Sequence, residues 1–154
     1  MPHNYYSFSV RDGAGEHPVL YLEAPWGRDR AECRAYAGRA AETAARLMEH
    51  GYVVFCPLVH AVALARHTQG CFYHAPVLEA VLMERADALV VLNLPGAFTD
   101  FRTQRAVDQA VRLRIPVNLA TPGECIAAHL QGDLAVEADV PAELWMPAHT
   151  GKGA

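Results

Sequence analysis

Residues 89–117 read LVVLNLPGAFTDFRTQRAVDQAVRLRIPV. An unbroken apolar run, LVVL, leads into a loop carrying Pro95 and Gly96. A segment with apolar residues at helical spacing follows, and IPV then opens another apolar run. Apolar runs without alternation suit strands buried on both faces. Strand, loop, helix and strand in that order make a parallel crossover unit, and such crossovers are right-handed.

The same grammar extends outward in both directions. VLYLEA (19–24) reads as a first buried strand, YVVFCP (52–57) as a second that Pro57 ends, DALVVLNLP (87–95) as the third and PVNLA (116–120) as the fourth. Between the first two lies a proline-free stretch from Asp29 to His50, rich in Ala, Glu and Arg, which predicts a long helix. Its inward stripe is expected at Cys33, Ala37, Ala41, Ala44 and Met48, with Gly51 placed to cap its carboxyl end. Residues 60–74 are expected to be irregular and 76–86 helical, with a proline near the start. Residues 102–114 are expected to form a helix with Ala106, Ala110 and Leu113 inward. TPGECIAAHLQG (121–132) reads as a short helix and YYSFSV (5–10) as a candidate edge strand. The expected fold is therefore α/β, a Rossmann-like (flavodoxin-like) parallel sheet of four to five strands flanked by helices. One domain is expected over 1–154, with a core at 18–132, an N-terminal extension at 1–17 and an irregular tail at 133–154.

The totals agree with a soluble globule: 52% of residues are hydrophobic and 19% charged. A net charge of −4 gives no bulk attraction to polymeric nucleic acid. Lys152 is the only lysine, so the basic charge is otherwise arginine. No apolar run approaches the ~20 residues of a membrane span, and no basic start precedes an apolar stretch, so neither membrane nor secretion is expected. The four cysteines, 33, 56, 71 and 125, need no pairing in a chain with this core, and a reduced, cytoplasmic protein is expected.

Parallel sheets bind ligands beyond the carboxyl ends of their strands, so three loops matter. The first offers Pro25, Trp26, Gly27, Arg28 and Asp29, where an aromatic beside a tight turn can stack on a base or simply plug the sheet edge. Neither GxGxxG nor GxxxxGK[ST] occurs, which argues against a dinucleotide or P-loop site. The second holds Cys56, His60, His67, Cys71 and His74, whose spacing matches no pattern of two close ligand pairs for zinc. The third has Asn93, Gly96, Thr99 and Asp100, with Arg102 and Arg105 on the helix that follows. Gly96 allows a ligand close to the backbone, and the helix start can receive an anion; a plain N-cap role explains Asp100 as well. Glu79 lies on the inward stripe of its helix with Leu82, Met83 and Ala86, which makes it a site candidate. Asp87 is expected to cap a helix or loop.

Taken in order, EAPW, an Ala-rich helix, Gly, a strand ending in Pro, a His-bearing stretch, an acidic helix and DALVVLNLPG resemble the nucleoside 2-deoxyribosyltransferase superfamily. Small bacterial proteins of unknown function are grouped with it, and the likeness covers roughly residues 18–120. It implies a Rossmann-like fold that binds a nucleoside or nucleotide and cleaves or transfers the N-glycosidic bond, in a homo-oligomer whose sites border a neighbouring subunit. By the same resemblance Glu79, eight positions before Asp87, would contact the base, Asp100 would lie near the sugar, and Trp26 would fill the aromatic position. The family's catalytic Glu, in a pattern like S-x-G-x-x-x-E, falls on Ala106 counting back from Pro116 and on Ala106 or Val107 counting forward from the loop, and its Ser and Gly are missing too. Asp108 is the only acid on that helix and sits about 200° away round it, at 3.6 residues per turn.

Three functions follow. An N-glycosidase or deoxyribosyltransferase-like enzyme would use Asp100 or Glu79 as its carboxylate, without a cofactor. A binding module would keep the pocket and lose the chemistry. A metal-dependent hydrolase would use the His/Cys stretch 56–74.

Overall fold

A computed structural model describes residues 8–67 and 75–122, and the backbone of 126–130. The elements run β1 (Val19–Glu23), α1 (Arg30–Glu49), β2 (Val53–Phe55), α2 (Pro57–Ala65), α3 (Ala75–Arg85), β3 (Ala88–Leu92), α4 (Phe101–Arg112), β4 (Val117–Thr121) and β5 (Ile126–Leu130). The sheet has the order β2-β1-β3-β4-β5, with β2, β1, β3 and β4 parallel and β5 antiparallel to β4. This is the expected Rossmann-like α/β arrangement: a parallel sheet flanked by helices. No described helix is long and apolar enough to cross a membrane.

Side chains alternate across each strand, so the sheet feeds two cores. Leu20, Leu22, Val90 and Leu92 face α1 and α2, where Ala37, Ala40, Leu47 and Leu58 meet them. Tyr21, Leu89, Val91 and Val117 face α3 and α4, against Met83, Ala86, Val107 and Ala110. Truncating one of these leucines to alanine costs about 2–5 kcal/mol.

Local signals set the helix ends. Asp29 caps α1 by accepting from the Glu32 N–H at 2.8 Å, and Gly51 takes φ +92 just past its end. The inward stripe of α1 is Ala37, Ala40, Thr43 and Leu47, so the expected Ala41 and Met48 are displaced by one position, and Met48 is 58% exposed. On α4 the inward set is Thr103, Ala106, Val107 and Ala110, while Leu113 lies outside the helix and is exposed.

Four other expectations are corrected. β2 is not a buried strand: it is the sheet edge, and Val53 is 51% exposed. Pro57 does end β2, but it also starts α2, because a helix's first residue needs no N–H. Residues 126–130 pair as a strand with β4 instead of forming a helix, since the β4 edge offers unpaired backbone groups that an antiparallel partner satisfies. Residues 8–10 form no strand; an Asn118 side chain holds that segment instead, Oδ1 accepting from Ser9 N–H at 2.8 Å and Nδ2 donating to Ser9 O at 3.0 Å.

Asp87 anchors the amino end of the sheet. Its carboxylate accepts from Arg11 Nε at 2.7 Å and from the Val19 N–H at 2.8 Å, so it ties two chain segments to β3 and caps no helix. The described part of the N-terminal extension thus lies at the end opposite the ligand-binding loops.

Candidate functional site

The chain crosses over from one side of β1 to the other: β2 lies on one flank and β3 on the other. The loops after β1 and β3 therefore leave in different directions and open a crevice, the topological switch point where such sheets bind ligands. A groove of about 620 Å³ occupies it. Pro25, Gly27 and Arg28 come from the first loop, Glu32 and Tyr36 from α1, and Pro95, Gly96, Thr99 and Asp100 from the loop after β3.

Asp100 joins the two walls. Its Oδ1 accepts from the N–H groups of Arg102 and Thr103, at 2.8 and 3.3 Å, which caps α4. Its Oδ2 accepts from the Trp26 N–H at 3.0 Å, across the crevice. A carboxylate held by three backbone donors is fixed in place. The Tyr36 hydroxyl adds a second tie, donating to Pro95 O at 2.9 Å. Arg28 Nε donates to Glu32 at 3.0 Å while the rest of its side chain, 90% exposed, stays in water. The neighbouring Tyr36 hydroxyl and Arg28 hold Glu32 below the ordinary carboxylate range.

Both groove glycines are left-handed, Gly27 at φ +80 and Gly96 at φ +86. A side chain on Gly27 would collide with Glu32, 2.9 Å from the ideal Cβ position, whereas one on Gly96 meets nothing within 4 Å. Gly27 therefore serves packing of the turn, and Gly96 leaves open space where a ligand can approach the backbone.

Of the residues singled out in the sequence, Pro25, Gly27, Gly96, Thr99 and Asp100 line the groove. Trp26 stands behind it, its ring covered by the Arg102 guanidinium at 4.1 Å. Asn93 is not among the residues lining the groove, and its backbone N–H donates to Ala120 O at 2.8 Å. His60 is exposed on α2, its ring 5.8 Å from that of Phe55. Glu79 lies off the groove, half-buried and 3.5 Å from Arg105 of α4; burial pushes its carboxyl up against the opposing pull of Arg105. Asp108 is partly buried rather than fully turned to solvent. Cys71 and His74, two of the residues proposed as metal ligands, lie outside the described residues. Among the described residues no group of three His, Cys, Asp or Glu side chains is placed to hold a metal ion. Burial pushes the Cys56 thiol up to about 12, which makes it a packing residue rather than a nucleophile.

Arg28 and Pro95 lie in the two loops that the sequence marked as ligand-facing, whereas Glu32 and Tyr36 of α1 were not foreseen as groove residues. Nor was Glu23, the last residue of β1, which is only 4% exposed. Strand alternation puts it on the Tyr21 side, towards α3 and α4. Burial drives its carboxyl well above the ordinary carboxylate range, and the charges of Glu79 and Asp100 push the same way against Arg102 and Arg105. Its signal in the sequence is an acid closing an otherwise apolar strand.

The sequence model of a family described as a domain of unknown function (DUF1937) matches residues 18–121, about two thirds of the chain, and the chain belongs to that family. No curated protein is found to match it. The matched span begins just before β1 and ends with β4, so both groove loops lie inside it.

Proposed function

We propose that this member of the DUF1937 family binds a nucleoside or nucleotide in the groove between the β1–α1 and β3–α4 loops and acts on its N-glycosidic bond. The observation that carries this reading is Asp100: a carboxylate fixed by three backbone N–H groups at the switch point of a parallel sheet, on the wall of a groove of about 620 Å³. A preorganised carboxylate can stabilise the positive charge that develops at a sugar's anomeric carbon as the bond to the base breaks. Glu32 and Thr99 can meet sugar hydroxyls, and the free part of Arg28 can meet a phosphate. The resemblance to the nucleoside 2-deoxyribosyltransferase superfamily supports the same ligand class.

The inward face of α4 favours a second reading, binding without turnover. Thr103, Ala106, Val107 and Ala110 present no carboxylate there, and Ala106 stands where the resemblance asks for one.

A thermal-shift panel of nucleosides, deoxynucleosides and their monophosphates, followed by chromatography for free base, separates the two. A melting shift with free base supports the enzyme; a shift with intact ligand supports the binding module; no shift from any compound ends both. In the first case Asp100→Asn is expected to lower kcat by at least 10²-fold, on the order of one lost charge-stabilising group. Full activity in that variant would remove Asp100 from the chemistry.

A further inference from the structure

The groove wall spends most of its side-chain protons on itself. The Tyr36 hydroxyl donates to Pro95 O at 2.9 Å and the Thr99 hydroxyl to Gly96 O at 3.3 Å. Arg28 Nε donates to Glu32 Oε2 at 3.0 Å. What the lining side chains still offer a ligand is therefore acceptor capacity, from the Glu32 and Asp100 carboxylates and the lone pairs of the two hydroxyls. The exception is the outer end of Arg28, whose side chain is 90% exposed. Both helix starts at the groove already hold a carboxylate of the chain's own. Asp29 accepts from the Glu32 N–H at 2.8 Å, and Asp100 accepts from the N–H groups of Arg102 and Thr103. Each stands where a phosphate would otherwise dock. A ligand that fits such a wall brings donors.

Glu32 is the acceptor with the most to offer. Its Cβ and Cγ lie 2.9 Å from where a Cβ on Gly27 would stand, so the glycine turn packs its stem in place. Its side chain is 20% exposed, open enough to be reached from the groove it lines. A carboxylate has about four acceptor positions, of which Arg28 takes one and the Tyr36 hydroxyl at most one more. Asp100 has three of its positions filled by backbone N–H groups. Two neighbouring hydroxyls satisfy the two oxygens of a carboxylate, and an acidic side chain meets a ribose hydroxyl in the same way in dinucleotide-binding folds. The groove suits the sugar better than the base, because the Trp26 ring that could stack on a base is covered by Arg102. We infer that Glu32 binds the 2′- and 3′-hydroxyls of a ribose, so that the groove takes ribonucleosides in preference to 2′-deoxyribonucleosides. This rests on the nucleoside reading given above, and it departs from the deoxyribose in the name of the superfamily that the sequence resembles.

The test is calorimetric titration of the full chain with adenosine, guanosine, cytidine and uridine, each against its 2′-deoxy and 3′-deoxy forms. A ribonucleoside that binds is expected to be held about 10–10²-fold tighter than either deoxy form, the worth of one hydrogen bond to a charged group. In Glu32→Gln that preference is expected to shrink to within about threefold, because an amide offers a single acceptor oxygen. Where turnover occurs, the same ratios are read from kcat/KM. A 2′-deoxynucleoside bound as tightly as its ribose form would overturn the inference and leave the nucleoside reading standing. A ribose preference that survives Glu32→Gln would take the role from Glu32. Guanosine and deoxyguanosine bound alike, and both lost in Glu32→Gln, would place the carboxylate on the base edge and overturn the inference as well. If no nucleoside of any kind binds, the nucleoside reading falls and the ribose role falls with it.

Wild type alone supplies an arm for the case in which Glu32→Gln does not fold. An arabinoside keeps the 2′-hydroxyl but turns it to the opposite side of the ring from the 3′-hydroxyl. It is expected to bind like the 2′-deoxy form, and an arabinoside that matches its ribose form would exclude a carboxylate spanning the diol. The 5′-monophosphates probe the rest of the wall. Among the lining side chains only Arg28 keeps donors for a phosphate, so adding one is expected to change affinity by less than about tenfold, and any gain should vanish in Arg28→Ala. A monophosphate held about 10²-fold tighter than its nucleoside would mean that further donors face the groove, and would overturn the acceptor-lined wall on which the ribose assignment stands.

Discussion

The groove between the β1–α1 and β3–α4 loops takes its polarity from fixed backbone, whereas the face under α3 and α4 takes it from buried side chains. In the groove Asp100 is satisfied by three N–H groups, and two left-handed glycines shape the walls. On the other face Glu23 has no such backbone donors among the described residues and feels the charges of two carboxylates and two arginines. The first arrangement stabilises the fold and can also bind. The second costs the fold stability, because a carboxyl is taken out of water there. Substitutions on the two sides should therefore move stability in different directions.

The largest loss of stability is expected at Asp100→Ala. It removes the cap of α4, about 1 kcal/mol, and the bond from the partly buried Trp26 N–H, about 1–3 kcal/mol more, for a total near 2–4 kcal/mol. Urea unfolding measures it. Thr99→Ala is the control: among the described residues that exposed hydroxyl donates to the nearby Gly96 O, at 3.3 Å, and a change within about 0.5 kcal/mol is expected. Similar small losses at both positions would mean that Asp100 does not lock the two loops together.

This contrast also explains what the sequence made legible. β1, β3 and β4 announce themselves as apolar runs, and α1 is bracketed by Asp29 and Gly51, residues whose capping chemistry is local. Groove residues carried by turn chemistry, such as Gly27, Gly96 and Asp100, were visible for the same reason. Tyr36 and Glu32 were not, because only packing of α1 against the sheet brings them to the loop after β3. IAAHL favours a helix by composition, and the exposed edge of β4 decides otherwise. Glu23 was hidden by its setting: inside VLYLEA a lone acid reads as the end of an apolar strand, and the carboxylates and arginines that surround it come from α3 and α4, more than fifty residues away in the chain.

The two glycines sharpen the difference between a wall that packs and a wall that receives. Gly27→Ala adds left-handed strain and pushes Glu32 aside, for an expected loss of about 2–3 kcal/mol. Gly96→Ala adds strain alone, about 1–2 kcal/mol, because its Cβ meets no atom. The order should reverse for nucleoside affinity, since the Gly96 Cβ occupies space open to a ligand. Denaturation and calorimetric titration of the two variants read both orders, and a Gly96→Ala protein that binds as tightly as wild type would place the ligand elsewhere.

The smallest effect belongs to the link between the two regions. Arg102 lies over the Trp26 ring behind the groove and also tempers Glu23 on the other face. An exposed cation–π contact contributes about 0.5–1 kcal/mol, so Arg102→Ala should be nearly silent in unfolding experiments. Its signature is optical and electrostatic instead. In a Trp145→Phe background the emission of Trp26 should change when the guanidinium leaves. Removing that positive charge should also make Glu23 hold its proton still more tightly, so the loss of stability as Glu23 ionises should extend to higher pH. Emission that changes while the pH dependence of the melting temperature stays put would confine Arg102 to the groove and separate the two regions electrostatically.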